Sequence, residues 1–444
     1  MEILVKAAQL FLSLSILVVL HEFGHFFFAK LFKTRVEKFY MFFNPWFELF
    51  KIKRGETEYG IGWIPLGGYV KISGMIDESM DKEQMMQPPQ PYEFRSKPSW
   101  QRLLIMLGGV LVNFLLAMVI YIMITFTWGE EYLPTKNVKY GIECDSLAKS
   151  IGLQNGDKII SLDNQEIENF NKIMPSILLD DRKSIQVDRN GEKISIEIPK
   201  RIIPILLKGK GFLDVRKPFN PYNITEVAEG TAAQKAGIQV NDRILALNNK
   251  VFEFADQFSS ELKANKNQTV TITILRNKKV LNLKLAVGNN GILGVFRGIN
   301  NFDKIFEFKK TEYGFFASIP VGISRGFSTT ADYLKQFKLI FSSETKGYES
   351  VGGFMRIGSF FPGIWDWHSF WGMTAFLSII LAIMNILPIP ALDGGHVLFL
   401  IFEMITGRKP SDKFLEYAQI AGMALLFGLL ILANANDIYY FFFK

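Results

Sequence analysis

Two histidines and a glutamate stand at H-E-x-x-H spacing inside an apolar stretch near the start of the chain. The motif is formed by His21, Glu22 and His25, within residues 7–32. On a helix the two histidines lie one turn apart on one face, so their imidazole nitrogens can bind one metal ion. Glu22 is offset by roughly 100° and can act on a metal-bound water without being a ligand. Ionisable groups in a membrane helix are costly and usually functional, which makes a chance match the weaker alternative.

A catalytic zinc site usually needs a third protein ligand. Asp393 is the only carboxylate in the other apolar segments, and it follows a helix interruption by Pro388 and Pro390. The two glycines after it allow a close approach to another helix. A helix cap is the alternative role for Asp393, but it would leave the two histidines without a partner. His396 fits a supporting or interfacial role better than ligation. Mixed nitrogen and oxygen ligands favour Zn²⁺.

The composition is intermediate between that of a soluble protein and that of an all-membrane protein. The 444 residues are 49% hydrophobic, with 41 Phe, yet 21% are charged. A single cysteine, Cys144, excludes an internal disulfide framework and a cysteine-ligated zinc site. The net charge of +7 is distributed along the chain, so nucleic acid is not expected as a partner.

Four apolar segments are long enough to cross a membrane as helices. They are residues 4–32, 103–127, 369–402 and 417–435. The first has no small-residue cleavage site and only Lys6 as a cationic start, so we expect a retained helix and not a cleaved signal. Residues 30–102 hold 12 Lys+Arg against 9 Asp+Glu, and the loop before the fourth span is also basic. Both loops are therefore expected in the cytoplasm, and residues 128–368 outside.

Apolar and aromatic residues within the first basic loop predict strands. Residues 47–53 and 57–63 flank a turn, and a third run at 69–72 follows Gly67 and Gly68. Such a segment either packs on the helices or offers a strand template to an extended substrate near the metal site.

An internal repeat occupies the long external segment. Residues 146–164 match residues 231–249 without a gap, at a constant offset of 85. The pairs in register are Ala148/Ala233, Gly152/Gly237, Asp157/Asp242, Ile159/Ile244 and Leu162/Leu247. Each copy predicts a short helix ended by glycine, an Asp turn and a strand. The pattern resembles the PDZ domain, here as two copies in tandem, which binds extended peptides at a sheet edge.

Together these motifs cover nearly the whole chain. They are H-E-x-x-H at 21–25, P-L-G-G-Y-V at 65–70, the PDZ pair, and N-x-x-P-x-P-x-L-D-G-G-H at 385–396. The chain resembles the site-2 protease family of intramembrane zinc metalloproteases, in its bacterial branch of the regulator of sigma-E protease type. For the site, the resemblance implies catalytic Glu22, zinc on His21, His25 and Asp393, and substrate contacts by Asn385, Pro388, Pro390, Gly67, Gly68 and Tyr69.

For the activity, the resemblance implies cleavage of single-span membrane proteins inside their transmembrane helix. The substrates would be an anti-sigma factor after a first external cut, in stress-response signalling, or remnant signal peptides. The PDZ pair would act as a substrate size filter in the periplasm. The active site would lie within the bacterial inner membrane, towards the cytoplasmic side of the lipid bilayer. We expect a monomer.

The predicted fold is a multi-pass α-helical membrane protein with about four transmembrane helices, a cytoplasmic membrane-associated β-hairpin or sheet and two external PDZ (α+β) domains. The predicted order is transmembrane helix 1 at 1–32, a β-rich loop at 33–101, transmembrane helix 2 at 102–127, PDZ domains at 128–210 and 211–290, an interfacial amphipathic connector at 291–368, the third transmembrane region at 369–406, a cytoplasmic loop at 407–416 and transmembrane helix 4 at 417–436.

Two other classes of protein are weighed against a protease. A membrane-tethered PDZ adaptor explains the repeat but leaves His21, Glu22, His25 and Asp393 without a purpose. A zinc transporter needs polar residues along several spans. The second and fourth apolar segments offer only Asn113 and two asparagines near the end of the fourth, Asn434 and Asn436.

The charge bias predicts the topology. Single cysteines replacing Ser79 and Ser259, in a Cys144→Ser background, should react with membrane-impermeant reagents from opposite sides of the membrane. Ser79 should be labelled only after the membrane is permeabilised, and Ser259 in intact cells once the outer barrier is open. Labelling of both cysteines from one side would contradict the topology.

Overall fold

The structure, a computed structural model, describes residues 1–75, 87–207, 211–220, 222–297, 305–340, 342, 344 and 352–443. Ser79 and parts of the segment 291–368 lie outside these residues. The chain divides into two units, one formed by Met1–Gly129, Glu312–Phe341 and Tyr348–Lys444 and the other by Glu130–Thr311 and Ser342–Gly347.

The described residues contain long helices in the first unit and short ones in the second. In chain order the α-helices are α1 (Glu2–Leu31), α2 (Ser99–Trp128), α3 (Ser146–Ser150), α4 (Ile173–Leu179), α5 (Ile203–Leu207), α6 (Ala232–Lys235), α7 (Ala255–Ala264), α8 (Phe315–Ile340), α9 (Phe354–Ser359), α10 (Trp367–Ile386), α11 (Asp393–Thr406) and α12 (Asp412–Phe443). Helices α1, α2, α10 and the Lys413–Tyr439 part of α12 are long and apolar enough to span a membrane. Four such helices agree with the number of spans expected from the sequence.

The strands of the described residues follow the same numbering. They are β1 (Val36–Phe43), β2 (Phe50–Arg54), β3 (Thr57–Ile61), β4 (Ile64–Ile72), β5 (Glu130–Tyr132), β6 (Ile142–Cys144), β7 (Lys158–Leu162), β8 (Ser184–Arg189), β9 (Glu192–Glu197), β10 (Leu213–Val215), β11 (Ile224–Val227), β12 (Arg243–Leu247), β13 (Lys250–Val251), β14 (Thr269–Arg276), β15 (Lys279–Ala286), β16 (Val295–Arg297) and β17 (Lys309–Thr311).

Glycines bring the first two spans into backbone contact. A Cβ atom added at Gly24 would lie 2.2 Å from the carbonyl oxygen of Gly108, and one added at Gly109 would lie 2.6 Å from Nε2 of His25. Small residues let membrane helices approach this closely. Helix α2 therefore forms the wall against which the H-E-x-x-H face of α1 is pressed.

The third apolar segment is broken into two helices. Helix α10 ends at Ile386 and α11 begins at Asp393, because the prolines of the intervening turn cannot continue a helix. The chain at Ala391 has a φ of 84°, and its backbone N–H donates to Oε1 of Gln419 in α12 at 3.1 Å. Gly422 of α12 leaves room for the carbonyl of Pro390. The turn is thus seated on the fourth span.

Helix α11 extends beyond the apolar segment from which it was predicted. It ends at Thr406 and includes Glu403, and α12 likewise includes Asp437. Asp393 remains the only carboxylate within residues 369–402 and 417–435, and Glu403 and Asp437 lie just beyond those segments. The predicted apolar segments end before the helices do. A charged residue near the end of a span lowers the local hydropathy, although the helix itself continues.

A four-stranded sheet follows α1, in the order β2-β3-β1-β4. Strand β1 pairs in parallel with β3 and antiparallel with β4, so β4 is an edge strand. Strands β2, β3 and β4 were expected, whereas β1 was not. Its aromatic residues directly follow the apolar helix, and the pattern offers no alternation that would separate a strand from the span.

Helix α8 occupies the segment for which an interfacial connector was expected. It packs lengthwise and antiparallel on α2: Phe315 meets Phe126, and Phe327 meets Phe114. Between these contacts Gly322 lies against the backbone of Ile122. Small residues determine this packing, which hydropathy alone did not predict.

The second unit has two hydrophobic cores, one for each copy of the repeat. The first contains Leu162 and Ile185, and the second contains Leu247 and Ile272. Strand β10 pairs with β6 and contributes Val215 to the first core. This strand was expected to belong to the second copy, whose predicted start is residue 211. The second copy in turn extends past 290, where β16 pairs with β11.

Each copy of the repeat contains the same buried ion pair. Nη2 of Arg189 lies 2.7 Å from Oδ2 of Asp157 and also donates to the carbonyl of Gly152. Arg276 makes both contacts with Asp242 and Gly237 in the second copy. The two aspartates are each 1% exposed, so both need such a partner.

Candidate metal centre

Three metal-binding atoms converge between α1 and α11. Nε2 of His21 lies 3.2 Å, and Nε2 of His25 3.3 Å, from Oδ2 of Asp393, and the two Nε2 atoms are 3.3 Å apart. Ligand atoms about 2.0–2.1 Å from a tetrahedral zinc ion lie about 3.3–3.4 Å from one another. The triangle of donor atoms therefore has the size that zinc requires. In the part of the chain that the structure describes, no other group of three His, Cys, Asp or Glu side chains offers such an arrangement.

A carbonyl group of α2 sets the tautomer of His25. Nδ1 of His25 lies 2.9 Å from the backbone oxygen of Ile105. A carbonyl can only accept, so Nδ1 carries the hydrogen and donates it, which leaves the lone pair of Nε2 for a metal. Such a partner behind the ligand is typical of metal-binding histidines.

Asn113, on the same helix, plays the corresponding part for His21. Its side chain is fully buried, its amide nitrogen lies 3.2 Å from Nδ1 of His21, and its Oδ1 has no hydrogen-bond partner. A half-turn of the amide exchanges oxygen and nitrogen. Oδ1 then accepts the hydrogen of Nδ1, and Nε2 of His21 is free for a metal. The backbone oxygen of Asn113 accepts from Ser378 at 2.7 Å, which ties α10 to the same place.

The third candidate ligand, Asp393, is the first residue of a helix. Asp393 opens α11, where the unpaired backbone N–H groups and the helix dipole favour a carboxylate. A Cβ atom at Gly394 would lie 2.2 Å from the carbonyl oxygen of Leu387, and one at Gly395 would lie 2.7 Å from that of Ile389. The two glycines therefore allow the tight turn that delivers Asp393 to the histidines.

Glu22 lies beside the ligands and next to the sheet. A Cβ atom added at Gly68 of β4 would be 3.6 Å from Cγ of Glu22. A cavity of about 370 Å³ opens here, and its lining includes the three candidate ligands, Glu22, His396, Gln419 and residues 68–72 of β4. The carboxylate and the ligand atoms thus share one cavity with an edge strand.

Aromatic stacking holds β4 in place. The ring of Tyr69 stacks on that of Tyr40, with centroids 5.4 Å apart and planes 8° apart, and its hydroxyl donates to Asn44. The hydroxyl of Tyr40 lies 2.7 Å from carboxylate oxygens of both Glu48 and Glu58. Burial and these carboxylates raise the pKa of Tyr40, so the phenol stays protonated as a donor. The cavity side of the sheet is therefore rigidly supported.

The predicted substrate-binding residues divide into two groups. Gly68 and Tyr69 line the cavity, whereas Gly67, Pro388 and Pro390 are not among its lining residues. Asn385 does not line it either, yet its amide nitrogen lies 3.3 Å from Nε2 of His21. His396 lines the cavity outside the ligand group, in line with the supporting role expected for it.

Two polar residues that support the site were not assigned to it from the sequence. Asn113 stood out as the one strongly polar side chain of its apolar segment, whereas Gln419 of the fourth segment was overlooked beside Asn434 and Asn436. An isolated amide in an apolar span is a usable signal, because it needs a buried partner. The sequence does not say which partner.

Nearly the whole chain matches a known protein family. The sequence profile of Peptidase family M50 covers residues 9–429, which include the three candidate ligands and Glu22. The chain belongs to peptidase family M50. As an M50 member with the zinc-sized donor triangle described above, it is a membrane metalloprotease and uses zinc.

Individual M50 relatives are similar over their full length. Protease RseP of Yersinia pestis is 28% identical, and the match covers 98% of this chain and 99% of the relative. The regulator of sigma E protease of Haemophilus influenzae is 26% identical over 98% of this chain and 99% of its own. A Vibrio cholerae protein provisionally named a zinc metalloprotease is 27% identical over the same shares.

The arrangement predicts how metal content responds to substitution. His25→Ala should lower bound zinc from about one ion per chain to nearly none, because two ligands cannot hold the metal. Asp393→Asn should retain some zinc at reduced affinity, because a neutral amide oxygen is a weaker ligand than a carboxylate. Glu22→Gln should keep the wild-type zinc content. Elemental analysis of purified protein after dialysis against a chelator series measures all three, and full zinc in His25→Ala would contradict the ligand assignment.

Proposed function

We propose that this protein cleaves single-span membrane proteins within their transmembrane segment. In this proposal His21, His25 and Asp393 hold the zinc ion and Glu22 is the catalytic residue. The observation that carries the proposal is the convergence of three ligand atoms and Glu22 on one cavity within a bundle of apolar helices. A protease for soluble substrates has no need to place this chemistry among spans.

Glu22 handles the proton in the proposed reaction. When bound, zinc lowers the pKa of water and polarises a carbonyl group. Glu22 accepts a proton from the attacking water and passes it to the departing amine, as the glutamate of H-E-x-x-H motifs does. The amide of Asn385, beside Nε2 of His21, is placed to donate to the carbonyl oxygen or the backbone of the substrate.

The edge strand β4 is the proposed template for the substrate. A transmembrane helix satisfies its backbone groups internally, so its peptide bonds become accessible only when the helix unwinds. The unwound chain then needs new hydrogen-bond partners in an apolar environment. Strand β4 has a free edge and lines the cavity with residues 68–72, so it can pair with an extended segment.

Cleavage of a single-span substrate in proteoliposomes tests the proposal. Glu22→Gln should lower the rate about 10²–10⁴-fold while zinc is retained, and Asn385→Ala should slow cleavage without loss of zinc. Mass spectrometry of the products locates the scissile bond. Near wild-type cleavage by Glu22→Gln, or a scissile bond outside the membrane segment of the substrate, would refute the proposal.

The tandem repeat is proposed to act as a PDZ pair that filters substrates by size. Charge bias places the segment outside the membrane of a bacterial cell, in the periplasm for an inner-membrane protein. Its described residues offer no group of metal-binding side chains. A folded pair there excludes substrates with bulky outer domains and admits trimmed ones, such as an anti-sigma factor after a first cut or a remnant signal peptide.

Strands β5 and β17 provide a clean boundary for removing the filter. They pair antiparallel, with Lys309 opposite Tyr132, so residues 133–308 can be replaced by a turn of about two to four residues. The deletion protein should cleave trimmed substrates at the wild-type rate and also cut untrimmed ones. The same deletion in a Glu22→Gln background is the control. Retained discrimination against untrimmed substrates would contradict the filter.

A further inference from the structure

A buried ion pair joins α2 to the helix that carries Asp393. A guanidinium nitrogen of Arg102 contacts Oε1 of Glu403 in α11, and the two side chains are only 8% and 18% exposed. Nε of the same guanidinium donates to the backbone oxygen of Lys97 at 3.0 Å. Buried ion pairs seldom add net stability, and their best-attested use is to fix the register of packed elements.

Both charges stand at the helix end that disfavours them. Arg102 is in the first turns of α2, where the helix dipole is positive, and Glu403 is in the last turn of α11, where it is negative. Neither position is explained by capping. Each charge is compensated by the other helix, so the pair links the two helices at one defined height.

The ligand and the ion pair lie on the same face of α11. Asp393, Val397, Leu400 and Glu403 follow one another at helical spacings of four, three and three residues. Val397 and Leu400 are buried in one cluster with Ile105 and Met106 of α2. About 15 Å of helix therefore separates a carboxylate at the metal centre from a carboxylate at Arg102.

The apolar contacts between the two carboxylates do not fix this position by themselves. Hydrophobic attraction is non-directional, so it gives no preference of its own for one axial position. A shift of α11 by one residue would move Asp393 by about 1.5 Å, against a tolerance of about 0.2 Å for a metal ligand.

We infer that Arg102 and Glu403 are positioning residues that set the axial position of α11 on α2 and thereby hold Oδ2 of Asp393 at the two histidines. The inference rests on the proposed role of Asp393 as a metal ligand. The backbone oxygen of Lys97 accepts a hydrogen bond from Nε of Arg102 and so fixes the position of the guanidinium. Glu403 binds this guanidinium, and the ion pair thereby sets the axial position of α11.

Two measurements on the purified full chain test the inference. They are the zinc affinity, measured by chelator competition, and the visible spectrum of the Co²⁺-substituted protein. Glu403→Gln should weaken zinc binding about tenfold or more and shift the cobalt spectrum towards that of Asp393→Asn. Arg102→Lys keeps the positive charge but loses the planar guanidinium group. It should weaken zinc binding and shift the cobalt spectrum in the same direction, to a smaller extent.

The ion pair of Arg95 and Glu93 supplies the matched control. It is as buried, at 10% and 3% exposure, with a nitrogen–oxygen distance of 2.6 Å, and it lies in the loop before α2. Glu93→Gln should leave zinc affinity and the cobalt spectrum unchanged.

The results distinguish a failure of the inference from a failure of the ligand assignment. Unchanged zinc affinity in both Glu403→Gln and Arg102→Lys, beside a weakened Asp393→Asn, overturns the inference alone. An equal loss in Glu93→Gln also overturns it, since general destabilisation then explains the effect. Unchanged affinity in Asp393→Asn overturns the ligand assignment itself, and the inference with it.

Discussion

Two imidazoles and a carboxylate held within 3.3 Å of one another, inside a bundle of apolar helices, are the constraint on which this structure depends. A polar group buried without a partner costs several kcal/mol in such surroundings, on the order of 2–7 for a neutral one. A metal ion can satisfy the three inward-facing atoms at once. The outward-facing nitrogens of His21 and His25 need protein partners, and α2 provides both. The glycine contact between α1 and α2 exists because those partners must come close.

The convergence of the three candidate ligands was predictable from the sequence, whereas the residues that support them were not. Helical periodicity brings His21 and His25 to one face, and the scarcity of carboxylates in apolar segments singles out Asp393. These arguments need only local structure and a count of polar residues. The roles of Asn113 and Gln419 depend on which helices touch, which is a property of the folded bundle. Strand β1 was missed for a related reason. It is a strand because it pairs with β3 and β4, and its own sequence has no alternating pattern.

The repeat illustrates the same limit on a smaller scale. Its gapless register identified Asp157 and Asp242 as equivalent, and both prove to be buried in matching surroundings. Their arginine partners were not found, because Arg189 follows its aspartate by 32 residues and Arg276 by 34. The two Asp–Arg separations differ by two residues, because the copies differ in length outside the matched segment. The two arginines therefore do not align at the constant offset of 85. Three-dimensional equivalence survives such insertions, since a loop absorbs them without moving the strands.

The separation of the site along the chain has a consequence for biosynthesis. Asn385 and His21 lie 364 residues apart, and Asp393 is farther still. A ribosome therefore completes α1, α2 and all residues of the second unit before it makes Asp393, the third member of the candidate ligand group. Until then, the nascent chain contains only His21 and His25 of the candidate group, too few for a catalytic zinc site. On the proposed ligand assignment, the order of synthesis thus keeps a partly made chain from assembling the metal centre.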